Sequence, residues 1–148
     1  MVTTASLAHA YATLPAAVPT ETELAMLRRW IRQQWLAIPV GVKFTGGEFS
    51  LAQARSAFIR TGELIISTAH NSHPFLNLTE NAMFRAVHDW HHIQTGANDT
   101  LSGEIIAYEF ARLTAPQQIW WMLFSEIVLQ AAACLHHGSF QPQKLVRA

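Results

Sequence analysis

The chain has 148 residues and a mass of 16.5 kDa, which is the size of one domain. Its ten basic and ten acidic residues cancel at pH 7, and this balance argues against the broad basic surface that nucleic-acid binding requires. Half of the residues are hydrophobic and only 14% are charged, whereas about 25% are charged in an average soluble domain. We therefore expect one globular domain over residues 1–148 that self-associates as a homodimer.

The cysteine and histidine contents narrow the possible metal sites. Cys134 is the single cysteine, which excludes an internal disulfide framework and any zinc site built from several cysteines. Eight histidines are present among few charged residues, and imidazole is the commonest metal ligand. Any bound metal is therefore expected to be held by histidine and carboxylate.

Two segments have some features of a signal peptide or of a membrane-spanning helix. Residues 1–19 lack a basic start and a continuous apolar run, so they predict an N-terminal arm rather than a signal peptide. Residues 119–135 approach the length of a membrane-spanning helix, but Glu126 in their middle would cost about 2.5 kcal/mol or more in lipid. This segment predicts a core helix, and the chain is expected to be cytoplasmic, either soluble or peripheral to a membrane.

The elements follow from capping motifs and apolar spacing. Thr20 with Glu23 and Asn77 with Glu80 have the form of capping boxes, and Ser50 is a further N-cap candidate. Helices are predicted over about 20–37, 50–60, 77–94, 99–113 and 116–138. Residues 63–68 form the best strand candidate and could pair with residues 40–44. The predicted fold is mainly α, a bundle of four or five helices with at most a small two-stranded β ribbon.

The sequence His88-Asp89-Trp90-His91-His92 carries the clearest chemical signal. His88 and His92 are four residues apart, so both imidazoles project from one helix face, one turn apart. Glu104 follows in the first turns of the next helix, across a short connection that makes the two helices neighbours. Two imidazoles and one carboxylate leave one coordination position open, as in catalytic zinc and non-haem iron sites.

The pattern H-D-x-x-H-x11-E, with Glu104 in last place, resembles the signature of the ubiquinone (coenzyme Q) biosynthesis family of the fourth Coq protein. The motif spans about 17 of the 148 residues. The resemblance implies a largely helical zinc protein with His88, Asp89, His92 and Glu104 as ligands. It also implies a prenylated quinone precursor at a membrane surface and oxidative removal of the ring carboxyl group. We expect a divalent ion, zinc first and iron or manganese as alternatives.

The role of Asp89 stays open from geometry. Its side chain projects about 80° from the midpoint of the His88/His92 face, so ligation requires some rotation or reach. The alternative is a general base acting through a metal-bound water, although aspartate is one methylene shorter than the glutamate of H-E-x-x-H peptidases.

Several other residues are candidates for positions in or around the site. His91 is expected on its flank or at the surface, and Tyr108 either hydrogen-bonds Glu104 or packs. Glu126, surrounded by apolar residues, needs a metal, histidine or arginine partner because an unpaired buried carboxylate is costly. Gln130, Cys134 and His137 follow on or near the face of Glu126, His136-His137 is expected to be a helix C-terminal cation pair, and His70 and His73 are weaker candidates to line the pocket.

Three functions fit this pattern. The first is a protein similar to the ubiquinone-biosynthesis family that acts on or binds a hydrophobic small molecule. The second is a metal-dependent hydrolase that uses a metal-activated water with Asp89 as base. The third is a non-catalytic binding or assembly module whose ion only braces two helices. The HD phosphohydrolase class has poor support, because the only other aspartate, Asp99, lies in the turn after the motif.

Overall fold

The computed structural model describes residues 2–148, and the described chain is mainly helical. Six helices and two strands follow in this order: α1 Thr4–Thr13, α2 Glu21–Leu36, β1 Val42–Thr45, α3 Leu51–Thr61, β2 Leu64–Ser67, α4 Leu78–Thr95, α5 Leu101–Arg112 and α6 Gln117–His137. The predicted mainly α fold with one small two-stranded sheet is confirmed. The helix count is six rather than four or five.

The predicted helix starts are set by side chains that bond to the first free backbone amides. Thr20, Ser50 and Asn77 each accept from the amide three residues on, and the residue at that position reaches back to the cap in each case. These reciprocal bonds satisfy two donors that the helix itself leaves unpaired. At the other end of α4, Gly96 adopts a left-handed conformation with φ of 73°, which glycine allows without the steric cost of a Cβ.

The small sheet is parallel. Val42 pairs with Leu64 and Thr45 with Ser67, and α3 forms the crossover between the two strands. A parallel pair needs such a crossover because the chain must return to the same end of the sheet. The buried face of β2 packs Leu64 and Ile66 against Ala86 of α4, so the sheet supports the helix that carries the histidine motif.

The first 19 residues contain a helix where the sequence indicated only an arm. Helix α1 is capped by Thr3 and packs against the last segment of α6. Its buried Tyr11 donates a hydrogen bond to the Pro142 carbonyl at 2.7 Å, and the Lys144 amide donates to the Tyr11 hydroxyl at 3.1 Å. Helix α1 is therefore hydrogen-bonded to the segment that contains Pro142 and Lys144. These contacts explain how α1 is ordered although it is only weakly amphipathic.

Helix α6 changes its pitch along its length. It opens with a 3₁₀ turn at Gln117–Ile119, continues as α-helix over Trp120–Phe124, widens into a π segment at Ser125–Leu129 and ends as α-helix over Gln130–His137. It is long and apolar enough to cross a membrane, but 56% of its most apolar window is buried inside the protein. Its buried side chains, such as Leu123 and Val128, form the centre of the main core together with Trp30 of α2.

Candidate metal centre

Three ligand atoms converge at the contact between α4 and α5. The Nε2 atom of His88 lies 3.0 Å from Oε2 of Glu104, and Nε2 of His92 lies 3.1 Å from the same oxygen. The two Nε2 atoms are 3.2 Å apart. Of the residues that the structure describes, these three form the one group of histidine and acidic side chains whose ligand atoms are close enough together to hold a metal ion.

The backbone explains why these atoms meet. His88 and His92 lie on one face of α4, and Gly96 turns the chain so that α5 begins beside that face. Thr100 caps α5 by accepting from the Gly103 amide at 3.2 Å, which places Glu104 in the first turn. A carboxylate there is favoured by the partial positive charge of a helix N-terminus. The predicted convergence of His88, His92 and Glu104 is present in the structure.

The tautomer of His92 suits metal binding. Its Nδ1 lies 2.9 Å from the Ala97 carbonyl oxygen, and because a carbonyl only accepts, Nδ1 must carry the proton. Nε2 of a neutral ring then presents a lone pair toward Glu104. Such a hydrogen bond on the far nitrogen is the usual way in which proteins orient histidine ligands. His88 is held less firmly, because its buried Nδ1 has no hydrogen-bond partner within residues 2–148.

The donor set fits a divalent ion. Tetrahedral zinc with bonds of about 2.0–2.1 Å separates its ligand atoms by about 3.3–3.4 Å, so the observed triangle needs an outward shift of only a few tenths of an ångström. Without an ion, the Glu104 carboxylate lies in contact with the lone pair on Nε2 of a neutral His92, and these two groups repel each other. Only a proton on Nε2 of His88 is available to reduce this repulsion. A cation removes this repulsion, which favours a metal over a purely hydrogen-bonded cluster.

The electrostatics of the cluster are dominated by the His88–Glu104 contact. Burial by itself would raise the pKa of the Glu104 carboxyl, but the neighbouring imidazoles, first of all that of His88 through its charge and hydrogen bond, lower it to about 2. Burial lowers the pKa of His88, and Glu104, helped by Asp89 and Glu126, outweighs that effect, so the pKa of His88 is raised. The ion-free cluster is therefore a protonated imidazole beside an ionised carboxylate.

A cavity of about 340 Å³ adjoins the three ligand atoms, which is within the range of small-molecule sites. Its wall carries four acidic residues and one arginine, in addition to apolar side chains of β2, α4 and α6. The acidic residues are Asp89, Asp99, Glu104 and Glu126, and the arginine is Arg85. This excess of carboxylates over fixed cations makes the cavity attractive to a positive ion.

Asp89 lies on the cavity wall, outside the group of three converging atoms. Burial raises the pKa of its carboxyl, although the charges of His88, His92 and Arg85 act in the opposite direction. Arg85, one turn earlier on α4, donates a hydrogen bond to the Ala69 carbonyl and also lines the cavity. The structure thus places Asp89 near the half-buried guanidinium of Arg85, and ligation of a metal by Asp89 stays a prediction.

His91 and Tyr108 face away from the cluster. The His91 ring is 3% exposed and packs edge-on against Trp30 and Phe110, with ring centroids 6.2 and 4.9 Å away. Burial, together with the charges of His88 and His92, lowers its pKa to about 4. Tyr108 packs against Phe124 at 5.2 Å, and within the described chain it forms no hydrogen bond to Glu104. Both side chains therefore act as core residues.

Glu126 obtains its partner from a loop. His73 Nε2 lies 2.6 Å from Oε1 of Glu126, and Glu126 lines the cavity together with Gln130, Cys134 and His70. His70 stacks on Phe140, with ring centroids 4.9 Å apart. His136 and His137 are exposed and pack edge to face with ring centroids 5.0 Å apart, and neither lines the cavity.

Arg55 of α3 is a supporting residue that the motif does not reveal. Its Nη2 donates to the Ala97 carbonyl at 2.6 Å and to the His92 carbonyl at 3.2 Å, and its Nη1 donates to Oδ1 of Asn98 at 3.2 Å. The carbonyl that orients His92 is therefore itself held by Arg55. Because α3 and the α4–α5 turn are about 40 residues apart in the chain, no local pattern indicates this contact.

Arg55→Ala is expected to weaken zinc binding by about 10-fold or more while leaving the ligands in place, since losing an outer partner typically costs 10- to 100-fold. A zinc titration against a chelator of known affinity measures the change. Arg60→Ala, on an exposed position of the same helix, is the matched control and should bind like the original protein. Equal affinity in both variants would contradict a supporting role for Arg55.

His88, His92 and Glu104 could supply three ligands to an ion, and all three line the cavity; a tetrahedral ion held by them would keep one position open. Such a centre can bind and polarise a small molecule, whereas a closed structural site cannot. Comparison of the chain with protein-family models, with curated proteins and with solved structures finds no match.

Proposed function

We propose that the protein binds one divalent ion through His88, His92 and Glu104 and holds a hydrophobic small molecule beside it. The observation that carries this proposal is the convergence of three ligand atoms within 3.2 Å at the wall of the cavity. An ion that only braced α4 and α5 would need neither an open position nor an adjoining cavity. The site therefore supports ligand binding better than a purely structural role.

Zinc is the ion that this donor set favours, because two imidazoles and one carboxylate are a common ligand set of catalytic zinc. Iron(II) and manganese accept the same groups. When bound, the ion would act as a Lewis acid on an oxygen of the ligand. The chain supplies the orientation: the Ala97 carbonyl holds His92, and the N-terminus of α5 favours the ionised form of Glu104.

The motif that resembles the ubiquinone-biosynthesis family supports a quinone precursor as the ligand. Ile66, Phe84 and Ile127 supply an apolar wall, and Leu135 and Phe140 of the same cavity are 48% and 53% exposed. A cavity of about 340 Å³ accommodates a substituted ring, and a long prenyl tail would extend past the exposed Leu135 and Phe140. Homodimer formation and a cytoplasmic location, either soluble or peripheral to a membrane, stay predictions from the sequence.

A metal-dependent hydrolase is the second candidate. The observation that favours it is the presence of the Asp89 carboxylate on the cavity wall, next in sequence to the ligand His88. Aspartate at this position could accept a proton from a reacting water. Screening quinone-like ligands and hydrolase substrates with the metal-loaded protein separates the two candidates.

Metal content tests the site directly. Mass spectrometry of the purified protein is expected to find about one ion per chain, and His88→Ala and Glu104→Ala are expected to lose it while remaining folded. Glu109→Ala removes an exposed carboxylate that pairs with Arg112 and should retain the ion. A protein without metal, whose affinity for added zinc or iron neither ligand substitution changes, would refute the site.

A further inference from the structure

A second pair of buried polar side chains lies in the cavity region, outside the three-atom cluster. The His73 ring is completely buried, the Glu126 side chain is 9% exposed, and Nε2 of His73 lies 2.6 Å from Oε1 of Glu126. Glu126 lines the cavity that contains His88 and Glu104. The function proposed above gives this pair no role.

The backbone determines where the proton of His73 resides. Its Nδ1 lies 3.0 Å from both the Phe75 and the Leu76 amide nitrogens. Both amides donate, so Nδ1 must accept and cannot carry a proton. The proton is therefore on Nε2, the ring is neutral, and His73 donates to Glu126. Protonation of Nδ1 would bring its N–H against two other donors, which makes a charged His73 unfavourable.

Glu126 thus accepts a hydrogen bond from a neutral histidine, which brings no positive charge to its carboxyl group. Oε1 is occupied by His73, and no hydrogen bond in the described part of the chain involves Oε2. The residue lies in the π segment Ser125–Leu129, which packs against α5, the helix of Glu104. Single π turns within α-helices are frequent at functional sites because the wider turn redirects side chains.

The position of Glu126 excludes it from the ligand triangle. Its carboxylate is not among the ligand atoms that lie within 4.8 Å of one another. It nevertheless borders the same cavity and is close enough for its charge to act on His88. From this position, the Glu126 carboxyl group can act on a small molecule at the open coordination position, whereas it is too far from the other ligand atoms to join them around the ion.

We propose that Glu126, positioned by His73, accepts the proton of an acidic O–H ligand that occupies the open coordination position. This inference rests on the proposed metal site. In the step, the O–H bond of the ligand breaks and its proton forms a bond to Oε2 of Glu126. The electron pair stays on the ligand oxygen, and the anion so formed is the species that a bound ion would attract. His73 is the positioning residue because it holds Oε1 and leaves Oε2 without a hydrogen-bond partner in the described chain.

Two probe ligands of the cobalt-loaded protein test this step. Acetohydroxamic acid must give up a proton when it chelates the ion, whereas thiocyanate has no proton to give up. Visible absorption of cobalt(II) reports the dissociation constant of each. Glu126→Gln, which still accepts from His73, is expected to weaken acetohydroxamic acid by about 10-fold or more, the scale of one charge-assisted hydrogen bond. Thiocyanate should bind this variant at least as tightly as the original protein.

Matched variants make the result decisive. Glu109→Gln removes an exposed carboxylate far from the cavity lining and should change neither probe. If Glu126→Gln does not fold, Glu126→Asp keeps the charge, shortens the reach and is expected to weaken acetohydroxamic acid selectively. His73→Phe removes the donor and should produce the same selective loss as Glu126→Gln.

The outcomes separate the two levels of the proposal. One cobalt ion per chain in every variant, with acetohydroxamic acid bound equally by Glu126→Gln, Glu126→Asp and the original protein, overturns the role of Glu126 and leaves the metal site intact. Equal weakening of both probes also overturns it, because a general distortion would do that. No cobalt binding by the original protein overturns the proposed function and this inference together.

Discussion

Gly103→Ala is expected to destabilise the fold by about 3 kcal/mol, the upper part of the range for overpacked sites, and to weaken zinc binding by about 100-fold or more. A Cβ at this position would lie 1.8 Å from the backbone oxygen of Asn98 and 2.7 Å from its carbonyl carbon. No side-chain rotation relieves a clash with backbone. The turn between α4 and α5 must therefore move away from α5.

This movement would displace groups that position His92 and also Glu104, so it would affect two of the three ligands. Asn98 follows Ala97, whose carbonyl orients His92, and Glu104 follows Gly103 directly. Thermal unfolding and a zinc competition titration measure the two effects. Gly46→Ala is the matched control, because a Cβ at Gly46 meets nothing within 4 Å. A Gly103→Ala protein with unchanged stability and zinc affinity would show that the turn does not position the site.

Zinc affinity is expected to fall by about 10-fold or more between pH 7 and pH 5, because one displaced proton lowers the apparent affinity by up to about tenfold per pH unit. In the ion-free protein the pKa of His88 is raised by Glu104 in spite of burial, so the ion must displace a proton from His88 to bind. Glu104, with its pKa lowered to about 2, is ionised throughout this range and adds no further proton.

The sign of each contribution follows from its shift. Because the pKa of His88 is raised, its pairing stabilises the ion-free fold below the ordinary pKa of 6.5 and loses that effect as the pH rises through the raised value. Glu104 stabilises the fold above its ordinary pKa of 4.5, and the effect is lost as the pH falls toward about 2. Zinc binds only the deprotonated form of His88. Zinc binding therefore competes with the protonated His88–Glu104 pair that stabilises the ion-free fold.

The measurement is a competition titration with a zinc chelator at pH 7, 6 and 5 and constant ionic strength. Stopping at pH 5 keeps His91 neutral, because burial lowers its pKa to about 4. His91→Phe is the control, since it replaces one buried ring by another and should leave the slope unchanged. A zinc affinity that does not depend on pH would mean that His88 carries no proton in the ion-free site.

Local sequence signals predicted most of the helices. Capping side chains at Thr20, Ser50 and Asn77 are present as expected, because an N-cap acts within three residues and needs no tertiary partner. The same holds for the histidine pair, since a spacing of four residues places two side chains on one face of any α-helix. Glu104 was also predictable, because the short turn that ends at Thr100 brings the next helix alongside.

Other features depend on parts of the chain that are far apart. Helix α1 is ordered by bonds from Tyr11 to residues more than 130 positions later. The partner of Glu126 is His73, 53 residues earlier, whereas the sequence only indicates that a metal, a histidine or an arginine must serve. The sequence places His91 on the flank of the site or at the surface, whereas its ring is buried in the core. In each case the decisive contact involves two segments whose meeting no local pattern encodes.

The division has a physical basis. Helix starts, the shared face of His88 and His92 and the reach of Glu104 arise from backbone geometry within a few residues, and these features can be derived from the printed sequence. The tautomers of His92 and His73, the raised pKa of His88 and the cavity depend on burial and on carbonyls, amides and charges brought from distant segments. The candidate metal-ligating residues can therefore be derived from the sequence. The protonation of the histidines and the cavity beside the ligand atoms depend on the folded arrangement.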